Sequence, residues 1–378
     1  GVDTSTLVET FSVGVAIPEI VFVAFQMTFA CITTALVLGG VAERAKFWGV
    51  VLFAVLWPIV VYYPMAHMVW WWGGPIMASD PANAEALVAG AGLIWSFGAL
   101  DFAGGTVVHI NSGIAALVGA YVLGPRHNYG REIMAPHSLT LTLVGAGLLW
   151  VGWFGFNAGS NLEANGYAAL AMANTFFATA AASVSWMAYE WLTKRRPSLL
   201  GLASGAVAGL VAVTPAAGFA GPMGAIILGL VVSPVCVIFC SSVKRALKYD
   251  DSLDAFGIHG VGGMVGALGT AIVASPSLGG AGVDELHRRI LAAAIHVVHV
   301  DRGTGGRLGA RADDEVGDDE VGGRGALEEV DLGLRVLAHA SIKPDLAVSR
   351  VSGRVSGGER SPRRAARRSP ARRSRGRT

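Results

Sequence analysis

Eight apolar segments, each of about 20 residues or more, constrain the fold of this chain more than any other feature of its sequence. A helix of that length crosses about 30 Å of hydrocarbon, and a backbone in lipid must satisfy its own hydrogen bonds. The chain is therefore predicted to be an all-α polytopic membrane protein with about eight transmembrane helices. The segments are 17–42, 47–69, 104–124, 138–159, 166–193, 199–218, 221–243 and 255–276.

The composition agrees with a membrane protein and divides the chain in two. Of the 378 residues, 53% are hydrophobic and only 15% are charged, which excludes an ordinary soluble domain. Ten of the 29 Lys and Arg residues precede residue 287, and the other nineteen follow it. We therefore expect a membrane domain at 1–284 and a low-complexity, Arg/Gly/Asp-rich disordered tail at 285–378.

The basic residues of the membrane domain lie in alternate loops. The other connections, such as 70–103 and 160–165, contain no Lys or Arg and carry acids instead. By the positive-inside rule, the loops with Lys and Arg are expected to be cytoplasmic in a multi-pass protein of the cell membrane. These loops contain Arg44 and Lys46; Arg126 and Arg131; Lys194, Arg195 and Arg196; and Lys244, Arg245 and Lys248.

The end of the chain breaks this regularity. After an even number of spans, the basic tail would lie outside, against the rule that the membrane domain obeys. Its apolar stretch Ile290–Val300 is too short to span and carries His296 and His299. A frameshift, or a spurious reading of GC-rich coding sequence, would explain such a tail. The stretch Arg363–Arg377 lacks the aromatic interleaving of a nucleic-acid site, so no nucleic-acid partner is expected.

Two histidines fall inside predicted helices, where an ionisable side chain is costly and indicates a functional site. His109 lies eight residues after Asp101, about 12 Å along its helix. His259 lies five residues after Asp254, about 7 Å along a helix of the opposite direction. Both histidines are thus expected near the middle of the membrane, as in corresponding pieces of an inverted repeat.

Histidine suits a proton-handling pore because its unperturbed pKa lies near 6.5 and its neutral ring both donates and accepts. The alternative is that each histidine only bonds a neighbouring helix. Asp101 and Asp254 are expected to be helix N-caps, since a carboxylate at a helix start accepts backbone N–H groups and complements the helix dipole. The alternative is that the two carboxylates line the pore, where their negative charges would contribute to the electrostatic field around a cation.

The sequence shows none of the residue patterns of an enzyme. It has no phosphate-binding GxxxxGK loop, no Ser/His/Asp set and no metal cluster, so neither catalysis nor a cofactor is expected. Cys31, Cys236 and Cys240 lie in apolar runs and are expected to be buried packing residues without a disulfide or a metal. Every lysine before residue 287 falls in a loop, which excludes a retinal-type Schiff base within the membrane.

Five ordered motifs carry a resemblance to a known family. They are VAFQMTFACIT (23–33), AHMVW (66–70), ALDFAGGTVVHIN (99–111), GWFGFNAGS (152–160) and FGIHGV (256–261). Together they resemble the ammonium transporter (Amt/Rh) family over about residues 15–284, aligned with the third to tenth helices of an eleven-helix inverted-repeat fold. The first two helices and the closing helix of that family are expected to be missing here.

The resemblance implies roles for particular residues. His109 and His259 would be the twin pore histidines, and Phe29 with Phe156 would form a phenyl gate above them. An outer recruitment site would consist of Trp70, Phe25 and Ser160. The implied mechanism is capture of ammonium, loss of a proton past the gate, passage of ammonia along the histidines and release inside. Asp101 and Asp254 would support this pore structurally or electrostatically.

The resemblance also implies partners and alternatives. Ammonium or ammonia would be the substrate, with methylammonium as an analogue, and potassium would be rejected. A homotrimer is expected, and the family's contact with a PII-type signalling protein is doubtful for this chain because its tail is atypical. The alternatives are an ammonium sensor on the same scaffold and an inactive fragment.

Overall fold

The fold is a bundle of long apolar helices, seen in a computed structural model that describes residues 5–282. Eight of the helices in this part of the chain are long and apolar enough to cross a membrane, which confirms the expected number. The expected boundary at 284 and the tail after it lie outside the described residues. The helices are α1 (Glu19–Val41), α2 (Phe47–Ser79), α3 (Gly105–Leu123), α4 (Leu139–Gly159), α5 (Gly166–Lys194), α6 (Leu199–Ala216), α7 (Pro222–Leu247) and α8 (Phe256–Val273).

Several of these helices are interrupted by wider π-helical turns. Helix α2 passes through one at Pro58–Tyr62, and α7 passes through one at Phe239–Val243. Helix α2 also breaks after Trp70, and its last short part, Gly74–Ser79, lies at one end of the bundle. Helices α3 and α8 both begin with one, at Gly105–Ile110 and Phe256–Gly260, before continuing as ordinary α-helix. Such turns are rare and often mark functional sites, and the two at the starts of α3 and α8 contain His109 and His259.

The tightest packing joins α5 to α6 and α7. A side chain at Gly209 of α6 or at Gly229 of α7 would overlap the carbonyl oxygen of Ala178 on α5. Only glycine allows both backbones to approach this point, so small residues bring the three helices together as is common in membranes. A buried cluster that includes Trp186, Leu210 and Val232 fills the space between them.

One end of the bundle, here called the acidic end, holds residues 70–103, 160–165 and 219–221. A short antiparallel hairpin, β1 (Leu7–Glu9) with β2 (Ala16–Pro18), lies at this end. The hairpin tip is held by Glu163, whose carboxylate accepts hydrogen bonds from the Thr10 hydroxyl at 2.6 Å and from the Ser12 backbone at 2.9 Å. Three short helices, Pro81–Asn83, Ala84–Gly90 and Leu93–Ser96, belong to the same end.

The opposite end, here called the basic end, holds residues 42–46, 124–138, 195–198 and 248–254. Buried ion pairs connect its loops. Arg126, which follows α3, pairs with Asp250 before α8 at 2.9 Å. Arg44, which follows α1, also pairs with Asp250, at 3.9 Å, and donates to the Ser252 hydroxyl at 2.6 Å.

Much of the outer surface of the bundle is apolar, as expected where helices face lipid. On α4, Leu148 is 70% exposed and Val151 is 68% exposed. The three cysteines are free, but the expectation that all three are buried is wrong. Cys236 is buried and Cys240 is half-buried, whereas Cys31 is exposed because its side of α1 faces away from the other described helices.

Candidate pore and its histidine pair

His109 and His259 face one another in the middle of the bundle. Their Nδ1 atoms lie 3.2 Å apart, and their ring centroids are 5.3 Å apart with an angle of 23° between the planes. His109 is fully buried and His259 is 7% exposed. The structure thus brings together the two side chains that the sequence singled out, although 150 residues separate them.

The contact between the two Nδ1 atoms has a chemical consequence. In a neutral pair, one Nδ1 must carry the proton and the other must accept it, so the two tautomers are complementary. The Nε2 atom of His109 has no hydrogen-bond partner among the described residues and is buried. A proton can cross the Nδ1 contact without separating charge when the Nε2 of one ring gains a proton and the Nε2 of the other ring loses one. The unpartnered Nε2 of His109 is open to such an exchange with a small polar molecule.

The indole ring of Trp153 stacks on the ring of His109, a contact that was not predicted from the sequence. The ring centroids lie 5.1 Å apart and nearly parallel, at 14°. The indole Nε1 donates to the hydroxyl of Thr214 at 2.9 Å, which fixes the ring in place. In the sequence, the position of Trp153 three residues before Phe156 on one helix was the available signal.

Phe29 and Phe156 stack directly above the histidine pair. Their ring centroids are 4.3 Å apart at an angle of 29°, and Phe29 is 1% exposed. Phe156 lies 5.9 Å from the ring of His109. The two rings therefore separate the histidines from the acidic end of the bundle.

The three residues expected at an outer site also lie near Phe29 and Phe156. The rings of Phe25 and Trp70 contact Phe29 edge-on, with centroid distances of 4.8 and 5.7 Å. The Trp70 indole donates to the carbonyl of Asp101 at 2.8 Å. Ser160 donates its hydroxyl hydrogen to the carbonyl of Phe156 at 2.7 Å, so its oxygen remains available only as an acceptor.

A cavity of about 440 Å³ lies between α1 and α4, beside this line of rings, and opens toward the outer surface at Leu148. Phe25, Phe156, His109 and Trp153 line it together with aliphatic residues of α1 and α4. Its walls are almost entirely apolar, so a polar molecule inside meets few groups that replace water. Such a cavity favours small neutral molecules over ions.

Asp101 supports the start of α3, as expected of an N-terminal carboxylate. Oδ1 accepts hydrogen bonds from the backbone of Gly104 and Gly105 at 2.9 and 2.6 Å. Oδ2 accepts from Thr106 and Val107 at 2.8 and 3.1 Å. One buried carboxylate thus satisfies four backbone donors that a helix start leaves without partners.

The expectation that Asp254 caps α8 is wrong, because Asp251 takes this role. The carboxylate of Asp251 accepts hydrogen bonds from the backbone of Ala255 at 3.0 Å and Phe256 at 2.7 Å. Asp254 instead lies in the left-handed region, at φ +56°, and its side chain turns to Lys244 at 2.8 Å. The missed signal is a spacing: Asp251 precedes His259 by eight residues, as Asp101 precedes His109.

Within residues 5–282, no group of three or more His, Cys, Asp or Glu side chains lies close enough to hold a metal ion.

These features define a polytopic α-helical membrane protein with a buried histidine pair beneath stacked aromatic rings. The family model described as Ammonium Transporter Family matches residues 4–300. This chain belongs to the ammonium transporter family.

Curated relatives and solved structures agree with this assignment. The ammonium transporter of Aquifex aeolicus is 49% identical over 263 residues, covering 70% of this chain and 57% of the relative. The ammonium transporter of Bacillus subtilis is 47% identical over 270 residues, 71% of this chain and 62% of the relative. This chain therefore spans about three fifths of the length of these relatives.

Among solved structures, Saccharomyces cerevisiae Mep2 matches with a TM-score of 0.61 and 36% identity. The match covers 70% of this chain and 55% of Mep2. A chain described as a sensor Amt protein matches with a TM-score of 0.62 and 32% identity, covering 74% of this chain and 67% of that one. At these identities, the likeness extends beyond the fold to the sequence.

Proposed function

We propose that this chain conducts ammonium nitrogen across a membrane along its line of aromatic rings and histidines. One observation carries the proposal: a continuous series of ring contacts leads from the acidic end to the bundle centre. The centroid distances are 4.8 Å from Phe25 to Phe29, 4.3 Å to Phe156, 5.9 Å to His109 and 5.3 Å to His259.

The first step is recruitment of ammonium at the acidic end. The faces of Trp70 and Phe25 attract a desolvating cation by about 0.5–2 kcal/mol each, and the Ser160 oxygen accepts one N–H bond. The connections at 70–103 and 160–165 carry acids and no Lys or Arg, so their field also attracts cations. This combination favours a small cation with N–H donors.

The second step is transfer of a proton from ammonium, past the stacked rings of Phe29 and Phe156, to the free Nε2 of His109, which leaves neutral ammonia. Beyond these rings, Trp153 and other buried apolar side chains surround His109 and offer few groups to replace the water shell of a charged ion. Ammonia is neutral and enters such a space more readily, and the free Nε2 of His109 offers it a hydrogen bond. Potassium cannot shed its charge and is rejected.

The histidine pair then carries ammonia toward the basic end. The Nδ1 contact between His109 and His259 gives a path on which a proton moves between the rings. We place the basic end in the cytoplasm, because its loops carry the Lys and Arg residues. The membrane is then the plasma membrane, and the direction is uptake.

Assembly and partners follow from the family in this proposal. We expect a homotrimer in which each protomer has its own pore, no chemical catalysis, and no contact with a PII-type protein through this tail. The curated relatives at 47–49% identity are named transporters, which favours transport over the sensor alternative.

Uptake of labelled methylammonium into liposomes that contain the purified chain tests this proposal. We expect uptake above that of protein-free liposomes, inhibition by ammonium and no inhibition by equal potassium. If only a chimera extended with the flanking segments of the Bacillus subtilis relative takes up methylammonium, the chain alone is inactive. Uptake by neither protein would contradict the proposal.

A further inference from the structure

Arg126 and Asp250 form a bidentate ion pair at the basic end. The guanidinium Nε donates to Oδ2 of Asp250 and NH2 donates to Oδ1, both at 2.9 Å. The backbone N–H of Arg126 adds a third bond to Oδ2 at 2.7 Å. The Asp250 side chain is fully buried and that of Arg126 is 10% exposed. Charge-assisted pairs of this geometry are strong and fix orientation as well as distance.

The two members of this pair belong to the two histidine helices. Arg126 follows the last residue of α3, Leu123, by three positions, and α3 carries His109. Asp250 precedes the first residue of α8, Phe256, by six positions, and α8 carries His259. The pair therefore joins the far end of one histidine helix to the near end of the other.

The same helices also meet close to the histidines. A Cβ at Gly113 of α3 would overlap the backbone of Gly260 of α8, so the two backbones touch at this crossing. The helices touch again at Gly263 of α8, where an added Cβ would lie 3.0 Å from the carbonyl oxygen of Gly105 and 3.1 Å from the Cβ of His109. Both contacts lie near the histidines, whereas Arg126 and Asp250 add a contact at the helix ends, where a given displacement changes the angle between the helices least and therefore fixes it most closely.

Simple helix geometry relates a shift at the ion pair to a shift at the histidines. Arg126 lies about 20 Å from the crossing at Gly113, and His109 lies about 6 Å from it on the other side. A displacement of about 1 Å at Arg126 therefore moves His109 by about 0.3 Å if α3 pivots as a rod. A hydrogen bond between two ring nitrogens is sensitive to a change of that size.

The backbone passes the constraint directly into α8. Asp250 binds Arg126, and its neighbour Asp251 accepts the backbone hydrogen bonds of Ala255 and Phe256 at the helix start. Of these two consecutive carboxylates, Asp250 therefore binds the loop that follows α3, and Asp251 binds the first turn of α8. A displacement of Asp250 is expected to displace Asp251 and, through it, the turn that contains His259.

We propose that Arg126 and Asp250 are positioning residues that set the contact between His109 and His259. Neither touches the cavity, and both act through the helices that they join. The consequence for transport rests on the proposed histidine pore, whereas the consequence for the histidine contact does not.

The test compares four variants of the full chain in lipid nanodiscs and liposomes. Arg126→Gln with Asp250→Asn removes both charges of this pair. Arg44, which lies 3.9 Å from Asp250, loses its carboxylate in this variant but keeps its hydrogen bonds to Ser252 and to the carbonyl of Gly40. Arg126→Lys keeps the charge but loses the fork and serves if the double variant does not fold. Arg126→Asp with Asp250→Arg exchanges the charges, and Arg131→Gln is the control because Arg131 is exposed in the same loop.

The readouts are the ring ¹⁵N resonances of both histidines, the melting temperature and methylammonium uptake. We expect the neutral double variant to shift both pairs of resonances and to lower maximal uptake about tenfold, with KM changed less than about twofold. Arg126→Lys should give smaller shifts. The exchanged pair should recover only a small part of both losses, because the exchange also places like charges beside Arg44 and Glu43. The control should match the unaltered protein.

Two results separate this inference from the proposed function. The first result is that the histidine resonances do not change in the neutral double variant or in Arg126→Lys. This result would show, at any melting temperature, that the pair only stabilises the fold, and it would overturn the inference. Shifted resonances in a chain without any methylammonium uptake would keep the positioning role and remove the transport function.

Discussion

Asp101 and Asp251 hold equivalent places at the starts of α3 and α8. Each lies eight residues before a buried histidine, and each carboxylate accepts backbone hydrogen bonds from the first turn of its helix. Because four helices separate α3 from α8 in the order of spans, the two helices run in opposite directions. Two carboxylates thus present two histidines to one another from opposite ends of the bundle.

Replacing Asp101 is expected to destabilise the protein. Asp101→Ala leaves four backbone donors without their partner, and we expect a loss of about 3 kcal/mol in the free energy of unfolding. Asp101→Asn keeps one acceptor oxygen and should lose less. Thermal unfolding in detergent measures both. Asp80→Ala is the control, because Asp80 is exposed and accepts a single bond, from Ala82; equal losses at both positions would contradict this prediction.

Removal of the Phe29 ring should weaken selectivity. Phe29→Ala opens the stack above His109, so water and hydrated ions gain access to the histidines. We expect measurable potassium leak in liposomes, together with reduced methylammonium uptake. Phe47→Ala is the matched control, since Phe47 is 71% exposed at the start of α2. An unchanged potassium barrier in Phe29→Ala would show that these rings do not form the gate.

Thr214 is expected to affect stability and uptake by fixing the indole ring of Trp153. Thr214→Val keeps the shape of the side chain but leaves the buried indole N–H without its acceptor, at a cost of about 1–3 kcal/mol. Uptake should fall as the ring beside His109 loosens. Thr193→Val serves for comparison, because Thr193 is exposed and bonds only its own helix. If both variants melt and transport alike, Trp153 does not depend on this hydrogen bond.

The hairpin at the acidic end is expected to loosen in acid. Burial alone would raise the pKa of Glu163, but the hydrogen bonds from Thr10 and Ser12 outweigh it and lower the pKa below its ordinary value. The stabilisation of the hairpin by the Glu163 carboxylate, here called the clamp, is therefore fully present above the ordinary pKa of a glutamate. It is lost as the pH falls through the lowered pKa of Glu163. Amide hydrogen exchange of Phe11 and Ser12, corrected for its intrinsic pH dependence, should show less protection below about pH 4. Glu163→Gln should show reduced protection at neutral pH, and full protection there would contradict the clamp.

The sequence predicted the parts of this structure that depend on long patterns. Apolar length and the alternation of basic loops gave the eight spans, because burial of a helix in lipid leaves few alternatives. The histidine pair followed from the cost of an ionisable side chain within a span. Both predictions rest on the large free-energy cost of placing polar or charged groups in lipid, which single side-chain contacts do not outweigh.

The missed features depend on tertiary contacts at single residues. Asp254 and Asp251 both precede α8, and the left-handed backbone at Asp254 decides which carboxylate reaches the helix start. The role of Trp153 depends on Thr214, which lies 61 residues away. The clamp between Thr10 and Glu163 spans 153 residues. No periodic pattern encodes such pairs.

The most direct test of the central claim is a double-mutant cycle on the histidine pair. Methylammonium uptake would be measured for His109→Ala, His259→Ala and the double variant, at protein amounts matched in the liposomes. If the rings act as one unit, each single variant should lose nearly as much uptake as the double variant. Losses that multiply independently, or uptake that survives in the double variant, would contradict conduction through the pair.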